Sequence, residues 1–186
     1  MSLETYKLFL PLSLFGGWIG VLLPHFLSST EKHKSVSWHA AQNRRIFLLT
    51  ASAMTLSSVF LFAFIFKWLI PTYHLPWPVT ACFILSALGL LIASIVPAGK
   101  GRRGRIHDNS ASLAFLLFLP INLFFIFSHD ASDVTRILLI LTSVGMAFIL
   151  RKLWFSSNET LAHHLYWECC YFALVDLGLL AITFIR

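Results

Sequence analysis

Six stretches of this chain are long, apolar on every face and free of period-two alternation, and that pattern leaves few folds open. A helix that crosses a bilayer needs about 20 mostly apolar residues. Windows at Tyr6–Leu27, Ile46–Ile70, Val79–Pro97, Ser110–Phe127, Val134–Leu150 and Leu161–Ile185 meet that requirement. Each must be helical, because hydrocarbon offers no partner to a backbone N–H or C=O. A membrane barrel would show alternating segments of about ten residues. Runs such as LLIASIV and LAFLLFL do not alternate. The expected fold is all-α: a polytopic membrane protein, one integral membrane domain over residues 1–186, built as a bundle of about six transmembrane helices.

Charge supports the same reading. Only 12% of residues are charged and 58% are hydrophobic, whereas a soluble domain carries about 25% charge. The net charge of +6 invites a nucleic-acid partner, but the cations form no stripe interleaved with aromatics. They sit in short breaks between apolar runs. No nucleic acid is expected. The N-terminal window carries Glu4 and Lys7 and is longer than a signal-peptide core, so it reads as a retained helix. Cys82, Cys169 and Cys170 lie inside apolar runs without a CxxC spacing. They read as small packing residues, with lipidation or metal binding by Cys169 and Cys170 as the other use.

Orientation follows from the cations. Lys32, Lys34, Arg44, Arg45, Lys100, Arg102, Arg103, Arg105, Arg151 and Lys152 fall in the first, third and fifth loops. Lys7, Lys67, Arg136 and Arg186 fall on the other side. Positive loops stay in the cytoplasm, so both termini are expected on the non-cytoplasmic side. Lys67 is expected to snorkel to the interface beside Trp68. The small size and short loops suit a bacterial inner membrane.

Three features bear chemistry. The third loop runs as IVPAGKGRRGRIHDNSASLAF into the fourth helix, with Asp108, Asn109 or Ser110 as its N-cap. Arg102, Arg103 and Arg105, with Gly104 permitting a tight backbone turn, are either a topogenic signal or a contact for an anion such as a lipid headgroup. Second, His25, His107, His163, His164 and Glu168 all fall near the cytoplasmic ends of their helices. Glu168 lies one turn from His164 on the same face. An acid in a span normally faces the bundle interior and needs a partner. His107 is the expected partner and His164 the rival. The same groups suit a zinc site or a proton relay, although the spacing is no defined metal motif. Third, Asp176 lies two turns beyond Glu168. It is either functional or hydrogen-bonded to Thr55, Ser57 or Ser58 of the second helix. Gly16, Gly17 and Gly20 of the first helix read as a packing face.

Pro97 ending a helix, then Gly104-Arg105-Ile106-His107 and a helix holding Ala111, Ala114 and Phe115, resembles the signature of the family catalogued as domain of unknown function 998. Tyr166-Trp167-Glu168 resembles that family's approach to its last helix. The resemblance implies six membrane helices, a possible relation to the Frag, DRAM and Sfk group, and attention to Gly104, His107 and Glu168. The chain departs from the pattern where an acid follows the proline, here Ala98-Gly99-Lys100, and where Arg follows the glutamate, here Cys169. The family carries no established activity.

These features lead to three functional expectations. The first is a small multi-pass protein that binds membrane lipids, or another membrane protein, through its basic cytoplasmic face and polar site. The second is an intramembrane, metal-assisted lipid hydrolase using His25, His107, His164 and Glu168. The third is a proton-coupled transporter using Glu168 and Asp176.

Overall fold

Because hydrocarbon compels each span to satisfy its own backbone, the described residues are helical almost throughout. The computed structural model describes residues 3–27, 35–41, 43–98, 101–154 and 164–185. Its helices are α1 (Leu3–Lys7), α2 (Phe9–Leu27), α3 (Val36–Ala41), α4 (Arg44–Phe64), α5 (Ile70–Tyr73), α6 (Trp77–Ile95), α7 (Gly101–Phe127), α8 (Asp133–Trp154) and α9 (His164–Phe184). A π-helical segment, Ile65–Leu69, joins α4 to α5. Among the described residues, six helical spans are long and apolar enough to cross a membrane. The protein is an all-α, multi-pass integral membrane protein. Phe26, Phe127 and Leu141 are among the large side chains that point outward. Such a surface is stable against lipid and would aggregate in water.

Two elements differ from the sequence expectation. The second span does not stop at Ile70 but continues to Tyr73. Pro71 lacks an N–H, and its ring crowds the carbonyl four residues back. The backbone widens into the π segment just before it, where the Ile70 N–H reaches Ile65 O. The helix then ends at His74, which takes the left-handed conformation at φ 45. Trp68 is fully buried in the bundle and stacks on Phe64 at 5.3 Å. Lys67 beside it is exposed, as a snorkelling lysine must be.

The other difference matters more. The fourth span begins at Gly101 (φ +80), not at Ser110. Arg102, Arg103, Arg105, His107 and Asp108 are therefore helical, and none of Asp108, Asn109 and Ser110 is an N-cap. Arg is a good helix former, and a helix can project beyond hydrocarbon into the headgroup zone, where charge is welcome.

The helices pack in chain order: α2 on α4, α4 on α6, α6 on α7, α7 on α8, and α8 on α9. By contrast, α9 meets α2 and α7 only sparsely, so the ring closes loosely there. Small residues set the close approaches. A Cβ on Gly16 would stand 3.4 Å from Ser57 Cβ, and one on Gly20 only 2.6 Å from the Met54 side chain. The expected packing face of the first helix thus lies against α4. Polar pairs reinforce it: Ser13 Oγ donates to Ser57 O at 2.8 Å, and Ser57 Oγ donates to Ser13 O at 2.7 Å. At the far end of the bundle, Tyr73 donates to Ile182 O at 2.5 Å, and the Thr135 hydroxyl donates to Ile185 O. These bonds pin the C-terminal end of α9. The tight reversal expected at 128–132 is present. Ser132 caps α8 by accepting from Thr135 N at 3.2 Å, and Arg136 reaches back to Ser128 O at 2.9 Å and to Asp133 at 3.1 Å.

Candidate functional site

Inside the ring two chambers adjoin. The first, of about 90 Å³, lies at the α7 N-terminal end of the bundle. Its polar lining includes Thr50, Ser94, His107 and Glu168, and its apolar lining includes Val21, Met54, Leu90, Phe115 and Phe172. The second, of about 60 Å³, lies deeper and is lined by Ser13, Trp18, Ser57, Phe118 and Asp176 among others. Val21, Met54, Leu90, Phe115 and Phe172 line both. The two spaces therefore meet at an apolar neck. Each has room for several waters or for part of a ligand.

The helix register explains the chamber walls. On α9, Glu168, Phe172 and Asp176 follow at intervals of four and share one face. At 1.5 Å per residue, Asp176 stands ~12 Å deeper than Glu168. On α7, Gly104 and His107 are buried, while Arg102, Arg103 and Arg105 are exposed around them. The same turn of helix thus presents arginines outward and an imidazole inward.

His107 is fixed by the end of the preceding helix. Its Nδ1 lies 2.8 Å from Val96 O. A carbonyl can only accept, so Nδ1 carries the proton, and in a neutral ring Nε2 is the acceptor. The ring is only 8% exposed. Thr50 faces the same chamber. Its Oγ1 is buried and makes no hydrogen bond among the described residues. A buried hydroxyl without a partner costs free energy, so a polar guest that bonds to it gains correspondingly.

The structure thus brings His107 and Glu168 to one chamber, with Asp176 in the next. His25 lines neither. His163 and the His164 side chain lie outside the described residues. Asp176 does not bond Thr55, Ser57 or Ser58. Its Oδ2 accepts from Trp18 Nε1 at 2.6 Å. Ser57 is engaged with Ser13, and Ser58 donates to Met54 O at 2.9 Å in its own helix. A cluster of three or more His, Cys, Asp or Glu placed to hold a metal does not occur among the described residues.

Sequence reasoning passed over three residues. Trp18 carried a signal in its depth, since tryptophan favours the membrane interface and here stands well inside a span. Thr50 carried none, because threonine is common in helix packing. Asn122 is 3% exposed, and its amide donates to Thr142 Oγ1 at 3.3 Å and Ser143 Oγ at 3.2 Å. It joins α7 to α8 and was visible as the amide side chain within its apolar run.

No family model, curated protein or solved structure matches this chain. The functional reading therefore rests on the chambers themselves.

Proposed function

We propose that this protein binds a membrane lipid, with the headgroup at the first chamber and part of a tail in the apolar neck. The observation that carries this reading is the unpartnered Thr50 hydroxyl, buried in a chamber that Ser94, His107 and Glu168 also line. A glycerol or headgroup hydroxyl supplies the partner that the Thr50 hydroxyl lacks. Arg102, Arg103 and Arg105 stand exposed around the same end of α7, where a phosphate accepts their bonds. Met54, Leu90, Phe115 and Phe172 suit hydrocarbon. The chamber is placed in the cytoplasmic leaflet, with both chain termini on the opposite side and a bacterial inner membrane as the setting. This placement rests on the positive-inside argument. We also keep the kinship with the domain of unknown function 998 family as a proposal; it singles out His107 and Glu168, two residues of this chamber.

The test is lipid retention by the purified protein, read by native mass spectrometry across headgroup classes. Thr50→Val keeps the shape and removes the hydroxyl. One lost hydrogen bond of ~1 kcal/mol corresponds to about a fivefold fall in lipid affinity. Replacing Arg102, Arg103 and Arg105 with Gln should reduce the preference for anionic over zwitterionic lipid, in a variant checked for orientation. Wild-type retention and headgroup preference in both variants would defeat the reading.

A further inference from the structure

We infer that the deeper chamber, around Asp176, is a binding site for a small lipophilic organic cation, an ammonium group carried on an apolar body. It does not rest on the lipid reading, whose headgroup site is the first chamber, although the two chambers share Phe115 and Phe172.

A carboxyl so deep in a span is costly unless it meets a partner. The partner present is the neutral indole N–H of Trp18, at 2.6 Å from Oδ2. That is one donor for a group able to accept about four hydrogen bonds when ionised. Among the described residues, no Lys, Arg or His lines the chamber. Ser13 and Ser57, the other polar groups on its wall, already bond to one another's carbonyls. Among the described residues, the acid faces an open space that no cationic side chain lines.

The walls specify what kind of charge fits. Trp18, Phe115, Phe118 and Phe172 share the lining with Asp176. One acid among aromatic rings is the chemistry that recognises alkylammonium groups, because ring faces attract a cation that holds no tight water shell. A hard metal ion needs several oxygen ligands, and this chamber offers one carboxyl and two hydroxyls engaged elsewhere. An organic cation needs only the carboxyl and the rings.

Access is built into the same contact. Among the described residues, the Trp18–Asp176 bond is the one side-chain hydrogen bond between α2 and α9, and these helices otherwise meet sparsely. A cation that takes over Oδ2 releases the indole and with it the seam. Trp18 thus closes the site when it is empty and forms part of its wall when it is filled.

The full-length protein in nanodiscs of zwitterionic lipid is titrated calorimetrically with phenyltrimethylammonium, with tert-butylbenzene as its uncharged isostere and benzenesulfonate as the anion. Empty nanodiscs supply the blank. Saturable binding of the cation, at least tenfold tighter than of either comparator, is expected. Asp176→Asn keeps an acceptor for Trp18 and removes the charge, and should weaken cation binding at least tenfold. Trp18→Phe keeps an aromatic face and removes the competing N–H, and should retain cation binding. The inference is overturned if the wild-type protein shows no saturable binding of the cation. Equal binding of the isostere overturns it too, and that arm requires no variant to fold. Asp176→Asn binding within twofold of wild type would reduce the Asp176–Trp18 pair to a structural bond.

Discussion

Gly89 and Gly145 offer a paired test of how closely these helices are packed. A Cβ added at Gly89 would lie 2.7 Å from the Ser110 carbonyl oxygen and 3.1 Å from Ala114 Cβ. A Cβ added at Gly145 would also lie 2.7 Å from its nearest atom, the Leu174 Cδ1 methyl. The distances match but the obstacles do not. Leu174 can change rotamer, whereas the Ser110 carbonyl belongs to the backbone of α7 and can retreat only if α6 and α7 separate. Separation also stretches the bond from Ser86 Oγ to Ala114 O, now 3.0 Å. Overpacking a helix contact costs about 1–3 kcal/mol, and a weakened interhelical bond adds about 0.6 kcal/mol. Gly89→Ala should therefore destabilise by about 2–3 kcal/mol, and Gly145→Ala by less than about 1 kcal/mol. For a chain of this size, each kcal/mol moves the midpoint by about 2–4 °C. Thermal unfolding in one detergent, at one scan rate, is the assay. Equal losses, or a larger loss at Gly145, would refute the claim that a backbone obstacle fixes the α6–α7 distance. Because Ser94 on α6 and His107 on α7 line the first chamber, Gly89→Ala should also lower lipid retention.

Other expectations follow from the same geometry. Reporter fusions after Lys34 and Lys152 should report cytoplasm and fusions after Tyr73 and Asp130 the opposite side; the reverse pattern would move the first chamber to the other leaflet. A double-mutant cycle of His107→Ala and Glu168→Gln, read by thermal stability, should show coupling above about 0.5 kcal/mol if the two share the chamber's hydrogen bonding, and additivity within that margin would make them independent. Asn122→Ala removes the amide that bonds Thr142 and Ser143; it should cost about 1–2 kcal/mol, since intramembrane hydrogen bonds average about 0.6 kcal/mol each, and no loss would mean that α7 and α8 are held by packing alone.

The number of spans and their order were legible in the sequence because hydrocarbon imposes one rule on all backbone. Which face of each helix looks inward was not. In water, the apolar stripe of a helix points to the core. Here lipid-facing Phe15 and Leu141 are as apolar as core-facing Phe64 and Leu139, so the pattern carries little rotational information. Glycine and polar residues carry what remains. Gly16 and Gly20 marked the α2–α4 contact correctly. Asp176 was read as either functional or bonded to a hydroxyl of the second helix, and its partner is an indole from the far end of the chain. The N-terminal turns of α7 were read as loop because hydropathy measures only where hydrocarbon ends. The arginine-rich turns at 101–109 continue the helix past that boundary without any signal in the hydropathy.

The distribution of polar contacts along α9 bears on how the chambers can be filled. Its C-terminal end is held twice, by Tyr73 on Ile182 O and by Thr135 on Ile185 O. Lys7 adds to that end, lying over the Phe184 ring at 4.7 Å. Midway, Tyr171 donates to Phe115 O, which ties α9 to α7 beside the neck. Toward α2 the contact is sparse, and Trp18 to Asp176 is the bond that spans it. A helix anchored at its C-terminal end, packed along its length on α8 and bonded once to α7 has a compliant side where it meets α2. Both chambers lie against that side, since Val21 of α2 and Phe172 of α9 line each of them. The α2–α9 seam thus offers a guest from the bilayer a route to both chambers. Thr50, on α4, stands behind that seam rather than on it. Loss of its hydroxyl should alter how tightly a lipid is held, whereas loss of the Trp18 N–H should alter how readily the seam opens.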